Sequence, residues 1–254
     1  MNLSRRLFPA LLASLCCTIS WAGSHSNGGT VLVIGATGET GKLVVARLVD
    51  EGYTVKAFVR DAVKGRKTLG KKVSLVTGDV TIPATIEPAF NGIDYVISAV
   101  GATAASGNNR PEKVDYEGVK HLADAAAAAG VKHFVLVSSM GVTHEDHQLN
   151  RFFGKVLIWK AQGEQALRDS GVPYTIVRPG GLINEPGGNL RVVAIQGDPL
   201  MDNARIPRAD VAQVCIEALK SPAAQNKTLE VFTEEGESVS DWNGFFAALE
   251  PDGT

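Results

Sequence analysis

Seven short apolar runs rich in β-branched residues, with helical patterns between them, restrict this chain to few folds: TVLVIG (30–35), TVKAFVR (54–60), VSLVTGD (73–79), YVISAVG (95–101), HFVLVSS (133–139), YTIVRPG (174–180) and TLEVF (228–232). A strand with one wet face alternates apolar and polar residues, whereas most of these runs are nearly continuous. They predict strands buried on both faces, as in a parallel sheet covered by helices. Helical patterns fall at 39–51, 82–90, 112–129, 154–170 and 209–220. The first carries Val44, Val45, Leu48 and Val49 on one face and stops at Gly52, a residue suited to capping. The order βαβαβ predicts an α/β, doubly wound fold with a mostly parallel sheet in a single domain, with ligands at the carboxyl ends of the strands.

The length, 254 residues with 44% hydrophobic content, suits one buried core, and no shift in composition marks a second. Net charge is −2 and the basic residues are scattered, so no nucleic acid and no anionic membrane surface is indicated as a partner. A small-molecule substrate is the expected partner, and a protein partner is the second class. Residues 1–22 read as a cleavable export signal: Arg5 and Arg6, then an apolar run from Leu7 to Ile19, then Ser20 and Ala22 at the positions a signal peptidase reads. SRRLF resembles the twin-arginine motif, although Pro9 departs from the usual pattern and leaves general secretion open. The run is too short to span a bilayer, so a periplasmic or secreted protein without a stable membrane anchor is expected. Cleavage would remove Cys16 and Cys17; Cys215, in DVAQVCIEAL, reads as a core residue. The binding domain is expected over 29–235, followed by a tail, 236–254, with a short helix near WNGFFAALE. The polar loop 101–113 is placed to border a site, and the alanine run at 123–130 needs only a helical explanation.

VLVIGATGETGKLVV (31–45) sets Gly35, Gly38 and Gly41 at a strand-to-helix junction. The first allows the tight turn, the second lets the backbone approach a pyrophosphate, and the third lets the helix pack on the strand. Position after a buried strand and before a helix is the context that gives this spacing its meaning. Thr37, Glu39 and Thr40 belong to the same turn, where the threonines either contact the ligand or cap the helix. At the end of the second run an acid would hold the ribose hydroxyls of NAD; Arg60 stands there instead, followed by Asp61, Lys64, Arg66 and Lys67. A guanidinium suits the additional 2′-phosphate of NADP, so NADP is the expected cofactor and NAD the alternative. Asp79 and Val80 end the third run, and Ser98, Val100 and Gly101 end the fourth, tracing one cleft.

GATGETG, VRD, GDV, VDYEGVKHLADAA, VSSMGV, WKAQGEQALRDSGVPYTIVRPGGL and RADVAQVCIEAL, in this order, resemble the atypical short-chain dehydrogenase/reductase superfamily in its NAD(P)-binding, NmrA-like branch, which includes the chloroplast Tic62-like proteins. The resemblance covers about residues 30–235 and implies a Rossmann fold and NADP binding. It leaves the reaction open, since members include reductases and redox-sensing regulators.

Standard members of that superfamily pair a tyrosine with a lysine four residues on, one helical turn apart, and add a serine at the end of the fifth strand. Here Lys160 fits the lysine and Ser138 or Ser139 the serine, but Val156 stands where the tyrosine belongs. Lys160 and Ser138 are the candidate catalytic residues, with Lys160 also assigned to the cofactor as a ribose or nicotinamide anchor. Lys160, Glu164 and Arg168 also read as a solvated ladder of weak ion pairs. Pro179 and Gly180 are placed where backbone passes close to the nicotinamide amide. Tyr116 is the alternative proton donor; Tyr174 lies in a buried strand. His144 and His147 read as a polar loop, with general acid chemistry at His144 as the sharper alternative; no metal site is expected. The resulting expectation is an NADP(H)-binding oxidoreductase lacking the catalytic tyrosine, acting on flavins or quinones. A non-catalytic, NADP(H)-dependent redox sensor or assembly factor is the alternative.

Overall fold

The computed structural model describes residues 28–253; the expected export segment, with Arg5, Arg6, Cys16 and Cys17, lies outside the described residues. In chain order the strands are β1 (Thr30–Ile34), β2 (Thr54–Val59), β3 (Ser74–Thr77), β4 (Tyr95–Ser98), β5 (His133–Val137), β6 (Tyr174–Pro179), β7 (Gly181–Ile183), β8 (Arg191–Ile195), β9 (Arg205–Pro207) and β10 (Lys227–Glu234). Eight of them form one sheet in the order β3-β2-β1-β4-β5-β6-β10-β8, and β7 pairs with β9 apart from it. Only β8 runs antiparallel, against β10. The chain leaves β1 toward β2 and returns past it to β4, so the sheet divides at the β1–β4 edge. That is where ligands of doubly wound folds sit.

The pattern of β1 explains the layers. Val31 and Val33 point to one face, where α1 (Glu39–Asp50) and α6 (Arg208–Lys220) cover them with Val44, Leu48, Val211 and Cys215. Leu32 and Ile34 point to the other, under α3 (Val119–Ala129) and α5 (Val156–Asp169), against Leu122, Ala126 and Leu167. Both faces are fully buried, which is why the run shows no alternation. Each such side chain contributes about 1.5–3 kcal/mol by leaving water. Cys215 is a core residue, and burial pushes its thiol up to about 12.

Three expectations need correction. The helix read at 82–90 is two separate 3-10 turns, Pro83–Thr85 and Glu87–Phe90, because Pro88 lacks the amide hydrogen that a continuous helix would use to reach the carbonyl of residue 84. The helix read at 112–129 opens as a π-helical turn, Glu112–Gly118, before α3 begins. The helix read from 154 starts at Val156, after Lys155 in a left-handed conformation with φ of 60°. Elements outside the sequence reading are short or polar: α2 (Ala62–Leu69) buries only Gly65, α4 (Gln148–Phe152) buries only Asn150, and β7 and β9 have three residues each. Neither helix carries an apolar stripe to reveal it.

Residues after 235 are packed on the domain. In α7 (Trp242–Ala247) Phe246 is fully buried, and beyond it Asp252 accepts hydrogen bonds from the Tyr174 hydroxyl at 2.9 Å and the Thr228 amide at 3.0 Å. Among the described residues no helix is long and apolar enough to cross a membrane.

Candidate functional site

A cleft of about 330 Å³ lies at the carboxyl ends of β1, β2, β3 and β4. It brings together Gly35, Thr37, Gly38, Arg60, Asp79, Val80, Val100 and Gly101, contributed by four strand ends, with Thr103 and Asn109 from the loop that follows β4. Gly35 adopts φ of +74°, and a Cβ there would stand 2.6 Å from the Ala99 carbonyl oxygen. A Cβ at Gly41 would stand 2.1 Å from the Gly35 carbonyl oxygen, so only glycine lets α1 start this close to β1. No side chain caps α1, leaving its first amide groups free for an anion; neither Thr37 nor Thr40 takes that role. The cradle therefore fits a dinucleotide pyrophosphate.

The other assigned residues sit outside this lining. Gly41 and Thr40 are buried behind it, and Glu39 projects from the helix start, paired with Lys42 at 2.8 Å. That bond, and the positive field of Lys42, hold the Glu39 carboxyl below the usual range. Ser98 is fully buried within β4, with no partner for its Oγ among the described residues. Arg60 Nη1 donates to Asn109 Oδ1 at 2.9 Å, tying the 101–111 loop across the cleft through a neutral partner. Asp61 accepts from the amides of Val63 and Lys64 as the cap of α2, so it is engaged away from the ribose position.

Lys160 is not in a solvated ladder. Its Nζ donates to Asp115 Oδ1 at 2.7 Å, while Asp115 Oδ2 accepts the Ala102 amide at 3.1 Å. Asp115 is nearly inaccessible and Lys160 little exposed, so the pair pins α5 to the loop leaving β4, beside Gly101. Gly163 makes this possible: a Cβ there would stand 2.1 Å from the Asp115 carbonyl oxygen. Glu164 turns inward to Arg178, which donates to it through Nη2 at 2.6 Å and Nε at 3.0 Å and to Glu230 through Nη1 at 2.9 Å. Asp115 was missed in the sequence, although it heads a stripe formed with Gly118, Val119, Leu122 and Ala126 at helical spacing, where an acid is out of place.

The tyrosine position is filled by packing. Val156 is buried with Val142 and Leu157 in a small apolar cluster. The alternative donor does not reach the site: Tyr116 stacks on Trp159 at 5.9 Å on the outer side of the helices. Tyr174 stands at the amino end of β6, where burial and its bond to Asp252 push the phenol up to about 12. The general-acid reading of His144 also gives way, since its Nε2 bonds to the Asp198 carbonyl oxygen at 2.7 Å. His147 caps α4, accepting the Leu149 amide on Nδ1 at 3.2 Å.

Ser138, Pro179 and Gly180 line a second cavity of about 490 Å³, at the ends of β5 and β6. Gly180 is glycine because the Ala204 carbonyl would stand 2.6 Å from a Cβ there, a close approach to this chain's own backbone. Asp198 shapes the rim by accepting the amides of Gly141 and Thr143 at 2.6 and 2.8 Å. Among the described residues Ser138 Oγ has no partner, whereas Ser139 Oγ donates to the Met140 carbonyl at 2.9 Å, which singles out Ser138 of the two.

Residues 35–222 match the sequence profile described as NAD(P)H-binding. The chain belongs to this NAD(P)H-binding family. Within it, the chain is an atypical short-chain dehydrogenase/reductase of the NmrA-like, Tic62-like branch. It is 36% identical to sanguinarine reductase of Eschscholzia californica, over 87% of this chain and 96% of that one. It is 34% identical to Protein TIC 62 of Pisum sativum, over 80% of this chain and 43% of that one. A solved Bacillus halodurans protein described as an NAD-dependent epimerase/dehydratase superposes with a TM-score of 0.75 at 27% identity, covering 87% of this chain and all of the other.

Proposed function

We propose that the protein is an NADPH-dependent reductase of flat conjugated acceptors, such as flavins or quinones, that need no proton from a tyrosine. The observation that carries this reading is Val156: the proton-donor position is buried in an apolar cluster while the dinucleotide cleft keeps its glycine turn. Gly35, Gly38 and the free amides of α1 would hold the pyrophosphate, Arg60 the 2′-phosphate, and Lys160, steered by Asp115, the ribose. When bound, NADPH supplies a hydride, two electrons with one proton. A quinone that accepts it and takes one further proton from water leaves as the hydroquinone, so this chain needs only to align the two rings. Sanguinarine reductase among the relatives supports reductive chemistry. Stopped-flow oxidation of protein-bound NADPH by a panel of flavins and quinones should show saturable turnover. Binding of NADPH with no turnover across the panel would sink the reading and leave an NADP(H)-responsive module, as the likeness to TIC 62 allows.

Export through residues 1–22 is part of the same proposal and rests on Arg5, Arg6 and the apolar run that follows. Changing both arginines to lysine should hold the protein in the cytoplasm on fractionation; unchanged export would remove the twin-arginine route.

A further inference from the structure

Among the described residues no carboxylate lines the 490 Å³ cavity, and Asp198 behind its rim is taken up by Gly141 and Thr143. Its cation is Arg208, the first residue of α6, and no acidic group pairs with it among the described residues. Its Nη1 donates instead to the neutral Asn184 Oδ1 at 2.8 Å, through an exposed contact. Of the seven large apolar side chains left exposed among the described residues, four, Leu149, Leu182, Leu200 and Met201, line this one cavity. Apolar exposure gathered in one concave place marks a ligand site, and a planar hydrophobic body is what such walls accept. Ser138, nine-tenths buried in the same lining, keeps a hydroxyl without a partner among the described residues.

Resting on the reductase reading above, we propose that this cavity selects acceptors carrying an anionic group, and that Arg208 is the residue that selects them. The apolar side chains take the planar ring, Ser138 a polar atom of that ring, and the guanidinium a carboxylate or phosphate at its edge, exchanging the neutral amide of Asn184 for a charged acceptor. Arg208 lies outside the lining of the dinucleotide cleft, which assigns its anion to the acceptor. Its field nevertheless reaches Glu39 at the start of α1, so the cofactor's pyrophosphate is the competing source of the anion.

Flavin mononucleotide and riboflavin share one ring and differ by a phosphate, which makes them the probe pair. Their dissociation constants are measured by fluorescence quenching on the full chain saturated with NADP+, where no hydride is available and no turnover is needed. The wild type should bind the mononucleotide about tenfold more tightly or better, the scale of one charge-assisted hydrogen bond. Arg208→Gln should bring the two constants within twofold of each other, Arg208→Lys should restore part of the gap, and NADP+ affinity should hold in both variants. A wild type that does not prefer the mononucleotide, or a preference that survives Arg208→Gln, overturns the proposal. Loss of NADP+ affinity in Arg208→Gln equal to that of the mononucleotide assigns the arginine to the pyrophosphate and overturns it as well. Because binding is read in the oxidised complex, absence of NADPH turnover would defeat the reductase reading without touching this one.

Discussion

On the β1–β4 side the ligand cleft is shaped by backbone: Gly35 turns under the Ala99 carbonyl, Gly41 lets α1 reach β1, and free amides face outward. On the β5–β10 side the structure is held by charged side chains in the interior. Arg178 lies between Glu164 and Glu230, Arg168 joins Glu164 to Asp252, and Asp198 clamps the loop after β5. A backbone site tolerates no added atoms and is indifferent to pH. A site held by buried charge tolerates neither loss of a partner nor a change of protonation. The difference teaches where each half can be broken.

The largest effect is expected at Arg178. Arg178→Leu leaves Glu164 only its longer contact with Arg168, at 3.2 Å, and Glu230, whose carboxyl burial already raises, loses the one side-chain partner it has among the described residues. Denaturant unfolding should show a loss of about 3–5 kcal/mol. Restoring neutrality with Glu164→Gln and Glu230→Gln should recover much of it; a loss under about 1 kcal/mol would mean that the network holds nothing.

Next comes His133 at the start of β5. Its Nε2 lies 2.8 Å from Thr175 Oγ1, whose own proton goes to the Ala224 carbonyl, so the ring must donate here. Burial lowers its pKa from 6.5 to about 4. A depressed histidine leaves the folded chain uncharged while the unfolded chain takes a proton, so the stability it contributes is complete above pH 6.5 and is lost as pH falls through about 4. The stability difference between the wild type and His133→Gln should therefore change by about 3 kcal/mol across that window. Parallel curves for the two proteins would remove His133 from the acid response.

On the backbone side, Gly41→Ala drives a methyl into the Gly35 carbonyl and forces α1 outward. Thermal melts should show about 1–3 kcal/mol of destabilisation, with NADPH affinity falling by an order of magnitude or more. An unaltered NADPH titration would show that α1 is not fixed by this contact. The smallest effect on stability is expected at Arg60, which is exposed and, among the described residues, bonded to Asn109 alone. Arg60→Gln should change stability by no more than about 0.5 kcal/mol yet reduce NADPH affinity roughly tenfold with NADH affinity retained. Equal loss for both cofactors would assign Arg60 to the loop rather than to the phosphate.

The parts legible in advance were those with local causes. Continuous apolar runs announce a two-faced sheet, and the glycine turn is announced by constraints set within a few residues: the positive φ of Gly35, and the Gly35 carbonyl against Gly38 and Gly41. The buried network was not legible, although Arg178 in YTIVRPG and Glu230 in TLEVF each interrupt an apolar run. A lone charge in a strand signals that a partner exists without saying which, and these partners are 14 and 52 residues away. Helical spacing also misled at Lys160: Glu164 and Arg168 share its helix, but Glu164 faces the core, where Arg178 competes for it at shorter range.

From its sequence alone this chain had determined a doubly wound sheet, a dinucleotide turn at the end of its first strand and the loss of the tyrosine at Val156. These depend on spacing within one element, and spacing survives without the rest of the fold. Only tertiary structure decided that Lys160 answers to Asp115, that Tyr116 and Tyr174 stand away from the cleft, and that Arg208 shares a cavity with Ser138 from β5. Those are meetings of residues brought together by packing, and their energies exist only once the backbone between them has closed.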